Sequence, residues 1–323
     1  MIIVNGATGF VGRYLVDHLV KNGEKVVAVG RSRKYDWFFN ELGVPFVQMD
    51  VTRAEEFSKL PTQSVKAFVH LAALIPAAVQ EITPEVFLNV NTLGTIRALE
   101  HCRKNNIGRF VYTTTLYEGM EHTELPITEE MGRKYALTGD HAAYVISKAA
   151  AADYVEHYSQ EFGIRGIILR MTGLLGYGRL EGFWAEGVFY PSAFEIFYKR
   201  AKAGQALEVW GKHEARRDSL YVKDAVRAIS KALSSDRAQG LYLIGSGAGI
   251  TNEQEIRTFA EVFGSEDNPV PVVYRPDLPE KSKSYYFDIG KAKRDFGWEP
   301  AYSYRDILVD YDAEVQSGRF RSL

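Results

Sequence analysis

The stretch Met1-Ile-Ile-Val-Asn-Gly-Ala-Thr-Gly-Phe-Val-Gly12 decides how the rest of the chain is read. A β-branched run at 2–4 stops in glycines, and an apolar-periodic stretch follows at once: Phe10, Val11, Leu15, Val16, Leu19 and Val20. The pattern predicts a strand, a tight turn and a helix, with Gly6, Gly9 and Gly12 at the turn. Glycine there lets the backbone turn sharply, lets a phosphate approach the chain and lets the helix pack close to the strand. Free N–H groups and the positive end of the helix dipole then face the phosphate. The stretch reads as a cradle for the diphosphate of a dinucleotide, made by Gly6, Gly9, Phe10, Val11 and Gly12. A purely structural strand–helix turn is the alternative.

Outward from this stretch, apolar strands alternate with helices. Strands are expected at 25–29, 45–49, 67–71, 109–113 and 164–170, and long helices at about 84–104 and 140–162. Pro84 suits a helix start and Gly163 a helix end. Continuously apolar strands alternating with helices predict a parallel sheet covered on both faces. The expected fold is α/β, a Rossmann-like doubly wound parallel sheet with a smaller, discontinuous α/β substrate-binding lobe. Residues 1–172 plus 218–245 form the sheet domain in this reading, and 173–217 plus 246–323 the lobe. The cleft between them lies beyond the carboxyl ends of the strands, where open α/β sheets bind ligands.

Bulk numbers narrow the partners. A net charge of -2 over 323 residues argues against a nucleic-acid binder or a membrane-surface protein. The single cysteine, Cys102, excludes an internal disulfide framework and fits a reducing compartment. No His, Asp or Glu spacing suggests a metal site. A cytoplasmic location is the expectation.

Two further constellations carry chemistry. The second strand leads into Gly30-Arg31-Ser32-Arg33-Lys34, where NAD selection needs a carboxylate. Arg31 and Ser32 suit a 2′-phosphate, which favours NADP with NAD possible; a solvated basic loop is the alternative. Asp50 and Val51 are placed to meet the adenine, although Asp50 also suits a helix N-cap. Tyr144-Val-Ile-Ser-Lys148 puts a phenol and an ammonium on one helix face. An ammonium beside a phenol favours the phenolate and brings Tyr144 closer to acid/base work at neutral pH. Thr113, Thr114 and Thr115 offer hydroxyls just upstream.

In order, Gly6-Ala-Thr-Gly9-Phe-Val-Gly12, His70-Leu-Ala-Ala73, Asn91-Thr-Leu-Gly94-Thr95, the three threonines and Tyr144-x-x-x-Lys148 resemble the extended short-chain dehydrogenase/reductases. The likeness continues through Arg217-Asp218-Ser-Leu-Tyr221, Arg275-Pro276-Asp277 and Phe296-Gly-Trp298-Glu-Pro300, and points to the nucleotide-sugar epimerase, dehydratase and reductase branch. This resemblance implies a catalytic triad of Thr115, Tyr144 and Lys148, with Thr114 the rival for the first role. It implies that Leu71, Ala72, Ala73, Asn91 and Thr113 lie against the cofactor together with Tyr144 and Lys148. Arg217 and Arg275 would bracket the substrate diphosphate, with Thr114, Thr115 and Gly173 beside the sugar. It also implies a homodimer through the helices at 84–104 and 140–162.

Departures from the family pattern sharpen the reading. Gly173 stands where the family often has a phosphate-touching asparagine. Leu116 and Tyr117 stand where the dehydratases have Asp-Glu, which sets 4,6-dehydration aside. The stretch 119–140 reads as a solvated loop, or else a flap over the substrate. His70 reads as a packed core residue, His141 as a helix-start residue, His213 as a loop residue and Cys102 as buried. The aromatics at 183–189 would pack the lobe or contact a base. The expectation is an enzyme that transfers a hydride at C4 of a nucleotide-activated hexose, as epimerase or 4-ketoreductase. A reductase of a non-sugar carbonyl and a non-catalytic dinucleotide sensor are the alternatives.

Overall fold

The computed structural model describes residues 1–76, 83–179, 182–185, 188–211, 214–279 and 283–322; His213 and the side chains at 183–187 lie outside this description. Seven strands make the central sheet: β1 (Ile2–Asn5), β2 (Val26–Gly30), β3 (Phe46–Gln48), β4 (Ala67–His70), β5 (Arg109–Thr115), β6 (Arg165–Met171) and β7 (Gly240–Ile244). Their spatial order is β7-β6-β5-β4-β1-β2-β3. Every pairing is parallel, as in Ile2 opposite Val26 and Ala67, and Val111 opposite Ile167. Chain order reverses direction at β1 and β4, which opens a crevice at the carboxyl end of β1.

The apolar runs explain the burial. β1, β2 and β4 are buried along their whole length, because helices cover both faces. On one face α1 (Phe10–Lys21) and α4 (Val222–Ser234) pack on a core that includes Val4, Leu15, Leu169 and Ile229. On the other, α2 (Gly94–Lys104) and α3 (Ala142–Phe162) enclose Phe68, Leu99, Phe110 and Val155. Gly163 caps α3 at φ +69°, a left-handed conformation that glycine adopts without strain.

The helix expected at 84–104 is broken in pitch. It runs α-helical over Pro84–Phe87, π-helical over Leu88–Leu93 and then into α2. A separate core of Tyr198, Leu207, Val209, Ile256, Phe259, Leu308 and Tyr311 lies outside the sheet layers. The terminal segment is shared: Leu308 joins that outer core, whereas Ile307 and Phe320 join the core under the sheet.

Residues 119–140 are anchored in part and solvated in part. Ile127 is buried and bridges Phe287, Glu129 accepts a hydrogen bond from the Leu243 N–H, and the Lys134 N–H donates to the Glu118 carbonyl. Glu129 thereby ties the stretch to β7, whereas Glu124, Glu130 and 136–140 are exposed as the solvated-loop reading expects.

Candidate active site

The turn after β1 has the shape its glycines predict. Gly6 sits at φ +87°, and a Cβ there would lie 2.5 Å from the Ala72 nitrogen. A Cβ on Gly12 would lie 2.2 Å from the Gly6 carbonyl oxygen, so only glycine lets α1 start this close to the turn. Gly9 caps α1 without a side-chain hydrogen bond, which leaves the first-turn N–H groups at Phe10, Val11 and Gly12 free of a side-chain cap. Leu71 and Ala72 pass directly behind Gly6, half-buried, with Ala73 exposed beyond them. This cradle fits a dinucleotide diphosphate: it has approachable backbone, open donors and the positive end of a helix.

At the end of β2, Gly30 touches Thr8. Arg31 is exposed, with no carboxylate in ion-pair range among the described residues. Arg33 differs: it is bound to Asp36 at 2.8 Å and to Gln48 at 3.2 Å. The Ser32 hydroxyl accepts from the Lys34 N–H. Asp50 is no helix cap. Its Oδ1 accepts from the Thr52 N–H and hydroxyl at 2.9 and 2.8 Å, closing a local turn. Burial works to raise its pKa, but these bonds and nearby Arg31 outweigh burial and hold it below the usual range. Val51 is buried against Gly94.

Thr113, Thr114 and Thr115 end β5, and α3 brings Tyr144 and Lys148 to face them. Tyr144 and Lys148 are both buried. The Thr115 side chain lies near enough to the Tyr144 phenol to act on its titration, and its hydroxyl accepts from the Tyr117 N–H at 3.4 Å. Burial raises the Tyr144 pKa above its ordinary value, with Thr115 opposing it. Burial pulls Lys148 down to about 7. The expected stabilisation of a Tyr144 phenolate by Lys148 is not what this arrangement shows. The Lys148 ammonium sits 4.2 Å over the Tyr112 ring, and low polarity dominates both groups.

Asn91 works as a clamp. Its side chain accepts from the Leu74 N–H at 2.7 Å and donates to the Leu74 carbonyl and the Ser147 hydroxyl at 3.1 and 3.0 Å. Ser147 in turn donates to the Tyr144 carbonyl at 2.7 Å. The π-helical turn sets Asn91 where it ties the segment after β4 to the catalytic turn of α3.

Glu118 is the residue the motifs did not reveal. It is fully buried, and its carboxylate accepts from the Thr114 hydroxyl, from Arg170 at 2.8 Å and from Arg133 at 3.1 Å. It commits the Thr114 proton, so Thr114 meets any further partner as an acceptor. That leaves Thr115, the other candidate for the triad hydroxyl, not committed to Glu118. The one sequence signal was an acid in a turn that follows a buried strand.

A cavity of about 520 Å³ opens just past the end of β5; Thr115, Tyr144 and Lys148 are not in its lining. Leu116 and Tyr117, which follow Thr115, form one wall; Gly173, Arg179, Arg217 and Tyr285 form others. Arg217 donates to Glu255 at 2.6 Å, and its Nε is buried without a partner. Arg275 does not join it. Arg275 is gripped by Asp277 through two bonds of 3.0 and 2.8 Å and lies outside the cavity lining, because a carboxylate two residues away captures its fork first. The expected pair of bracketing arginines is therefore not assembled from Arg217 and Arg275.

His70, His141 and Cys102 follow their sequence readings. His70 is fully buried among Phe68, Phe110 and Tyr112, with its pKa lowered to about 3 by burial. His141 stands at the N-cap of α3, 4.5 Å from the Tyr117 ring. Cys102 is buried. Among the described residues no group of three His, Cys, Asp or Glu could hold a metal, and no helix is long and apolar enough to cross a membrane.

The model of the NAD dependent epimerase/dehydratase family matches residues 2–245, three quarters of the chain. The chain belongs to this family. Family membership makes it an enzyme of the extended short-chain dehydrogenase/reductase type, as the ordered motifs implied. Among curated relatives of this epimerase/dehydratase, it is 26% identical to a putative UDP-glucose 4-epimerase of Methanocaldococcus jannaschii, over 93% of both chains. It is 24% identical to a dTDP-glucose 4,6-dehydratase of Salmonella typhimurium, over 93% of this chain and 88% of that one. Among solved structures, the UDP-glucose 4-epimerase of Thermotoga maritima with UDP-glucose superposes with a TM-score of 0.78. It is 26% identical, over 98% of this chain and 99% of that one.

Proposed function

We propose that this epimerase/dehydratase-family enzyme acts at C4 of a nucleotide-activated hexose, as an epimerase or 4-ketoreductase, with NADP(H) as its dinucleotide. The observation that carries the reading is the buried trio of Thr115, Tyr144 and Lys148 beside a cavity that contains Arg217. Gly6, Gly9, Phe10, Val11 and Gly12 hold the diphosphate, and Leu71, Ala72, Ala73, Asn91 and Thr113 lie along the rest of the cofactor. Asp50 and Val51 stand by the adenine. Arg31 and Ser32 take the 2′-phosphate, which favours reduction over epimerisation, because the epimerases keep NAD with an acid at this place.

The nicotinamide supplies or accepts the hydride when bound. Tyr144 holds the proton that goes to or comes from the sugar oxygen, and its raised pKa suits the protonated, donating form. Thr115, next to Tyr144, offers its hydroxyl to orient the same oxygen. Lys148, near 7, is poised to exchange a proton at neutral pH. Leu116 and Tyr117 stand where the dehydratases have their acid/base pair, and the Glu118 carboxylate is held by Arg133 and Arg170, which supports a reaction without elimination across C5 and C6. The helices on either side of the π-helical turn and α3 leave Val86, Leu88, Leu93, Ile146 and Tyr154 exposed, which supports a homodimer through them.

Tyr144→Phe tests the assignment. Turnover of a nucleotide hexose or its 4-keto derivative should fall by about 10²–10⁴, with NADPH affinity unchanged. Turnover within about twofold of the parent would remove Tyr144 from the mechanism.

A further inference from the structure

The cavity beside Tyr117 contains three cationic side chains, and two are already paired. Arg217 is bound to Glu255 at 2.6 Å and Lys283 to Glu121 at 3.2 Å. Arg179 has no carboxylate in ion-pair range among the described residues. One hydrogen bond holds it, from the guanidinium to the Leu174 carbonyl at 3.0 Å, which leaves most of its five donors open. Its side chain is exposed to the cavity, yet enough protein surrounds it that desolvation pulls its pKa below the ordinary guanidinium value. A fork with open donors and no carboxylate partner among the described residues is suited to an incoming phosphate.

The backbone beneath Arg179 is held from the cofactor side. Arg13 and Tyr14, on α1, donate to the Gly178 and Tyr177 carbonyls, each at 3.1 Å. Ser322 donates to the Gly178 carbonyl at 2.8 Å. Gly178 sits at φ +82°, and a Cβ on it would lie 1.8 Å from the Phe320 oxygen. The loop is therefore fixed by the same helix that opens the diphosphate cradle. Across the cavity Gly173 has no side chain, and a Cβ there would have only ordinary contacts, with the Tyr285 hydroxyl at 3.7 Å and the Asp218 carbonyl at 3.8 Å. An anion can approach that wall closely.

We propose that Arg179 binds the diphosphate of the nucleotide-sugar substrate, alongside Arg217 and in the role that motif order gives to Arg275. The proposal rests on the reading of the cavity as a nucleotide-sugar site.

Calorimetric titration of the full chain with UDP, dTDP, GDP and CDP tests both. At least one should bind the parent protein, with an affinity that falls as salt rises. Arg179→Gln should weaken that binding about tenfold or more and flatten its salt dependence, with melting temperature and NADPH binding unchanged. Arg179→Lys, which keeps the charge and loses the fork, should fall between the two. A loss below about twofold in Arg179→Gln would overturn the assignment and leave the substrate reading standing. Failure of all four nucleotides to bind the parent would overturn the substrate reading, and the role of Arg179 with it.

Discussion

Lys148 is an ammonium placed where charge is costly. Burial lowers its pKa to about 7, against an ordinary value of about 10.4. Below pH 7 the group is charged in both folded and unfolded chains, and its burial opposes folding in full. Between about 7 and 10.4 the unfolded chain binds the extra proton, so this group's contribution to stability rises with pH. Lys148→Met should therefore melt higher than the parent at pH 7, with the gap narrowing toward pH 10; a gap independent of pH would show that Lys148 is not desolvated in the free protein. Glu118 shows what residue-level reading missed. Its partners Arg133 and Arg170 lie 15 and 52 residues away in sequence, so no local spacing announces them. Arg275, chosen by motif order, has two of its donors held by Asp277 two residues on, a pairing that motif order does not announce.

At the scale of elements, the glycine turn and its helix were legible because sterics leave little choice. Gly12→Ala would put a Cβ 2.2 Å from the Gly6 oxygen and 2.7 Å from the Ala7 Cα, all backbone. It should cost about 1–3 kcal/mol of stability and sharply weaken NADPH binding. Gly108→Ala, whose Cβ would meet nothing within 4 Å, serves as the control. Equal NADPH affinity in the two variants would contradict the role of the turn. The strands were legible for a related reason: apolar runs buried on both faces can be little else, and the strands expected at 67–71 and 164–170 are found at Ala67–His70 and Arg165–Met171. The π-helical turn at Leu88–Leu93 was not legible. Its residues keep the apolar pattern of an ordinary helix, and what shifts the pitch is the clamp from Asn91 to Leu74 and Ser147. The stretch at 119–140 was legible in part: Glu124, Glu130 and Asp140 are exposed as expected, whereas the tie from Glu129 to the distant Leu243 N–H left no local signal.

On the scale of the whole molecule, the chain closes on itself around the cleft. Arg13 donates to the Phe320 and Arg321 carbonyls at 2.9 and 2.7 Å, and the Trp298 ring N–H donates to the Asp224 carbonyl at 3.1 Å. These bonds join the terminal segment to helices on the sheet. The exposed apolar residues on the π-helical turn and α3 remain uncovered by the chain. Light scattering should give twice the chain mass, and a Leu93→Glu, Ile146→Glu double variant should give the monomer; a monomeric parent would contradict the dimer.

The central claim is chemistry at C4 of a nucleotide-activated hexose without elimination. Proton NMR in D₂O tests it most directly, with NADPH, nucleotide hexoses and their 4-keto derivatives as substrates. Inversion or reduction at C4 is expected, with no deuterium at C5, an intact C6 hydroxyl, and loss of the reaction in Tyr144→Phe. Deuterium at C5 with formation of a 6-deoxy sugar would contradict it.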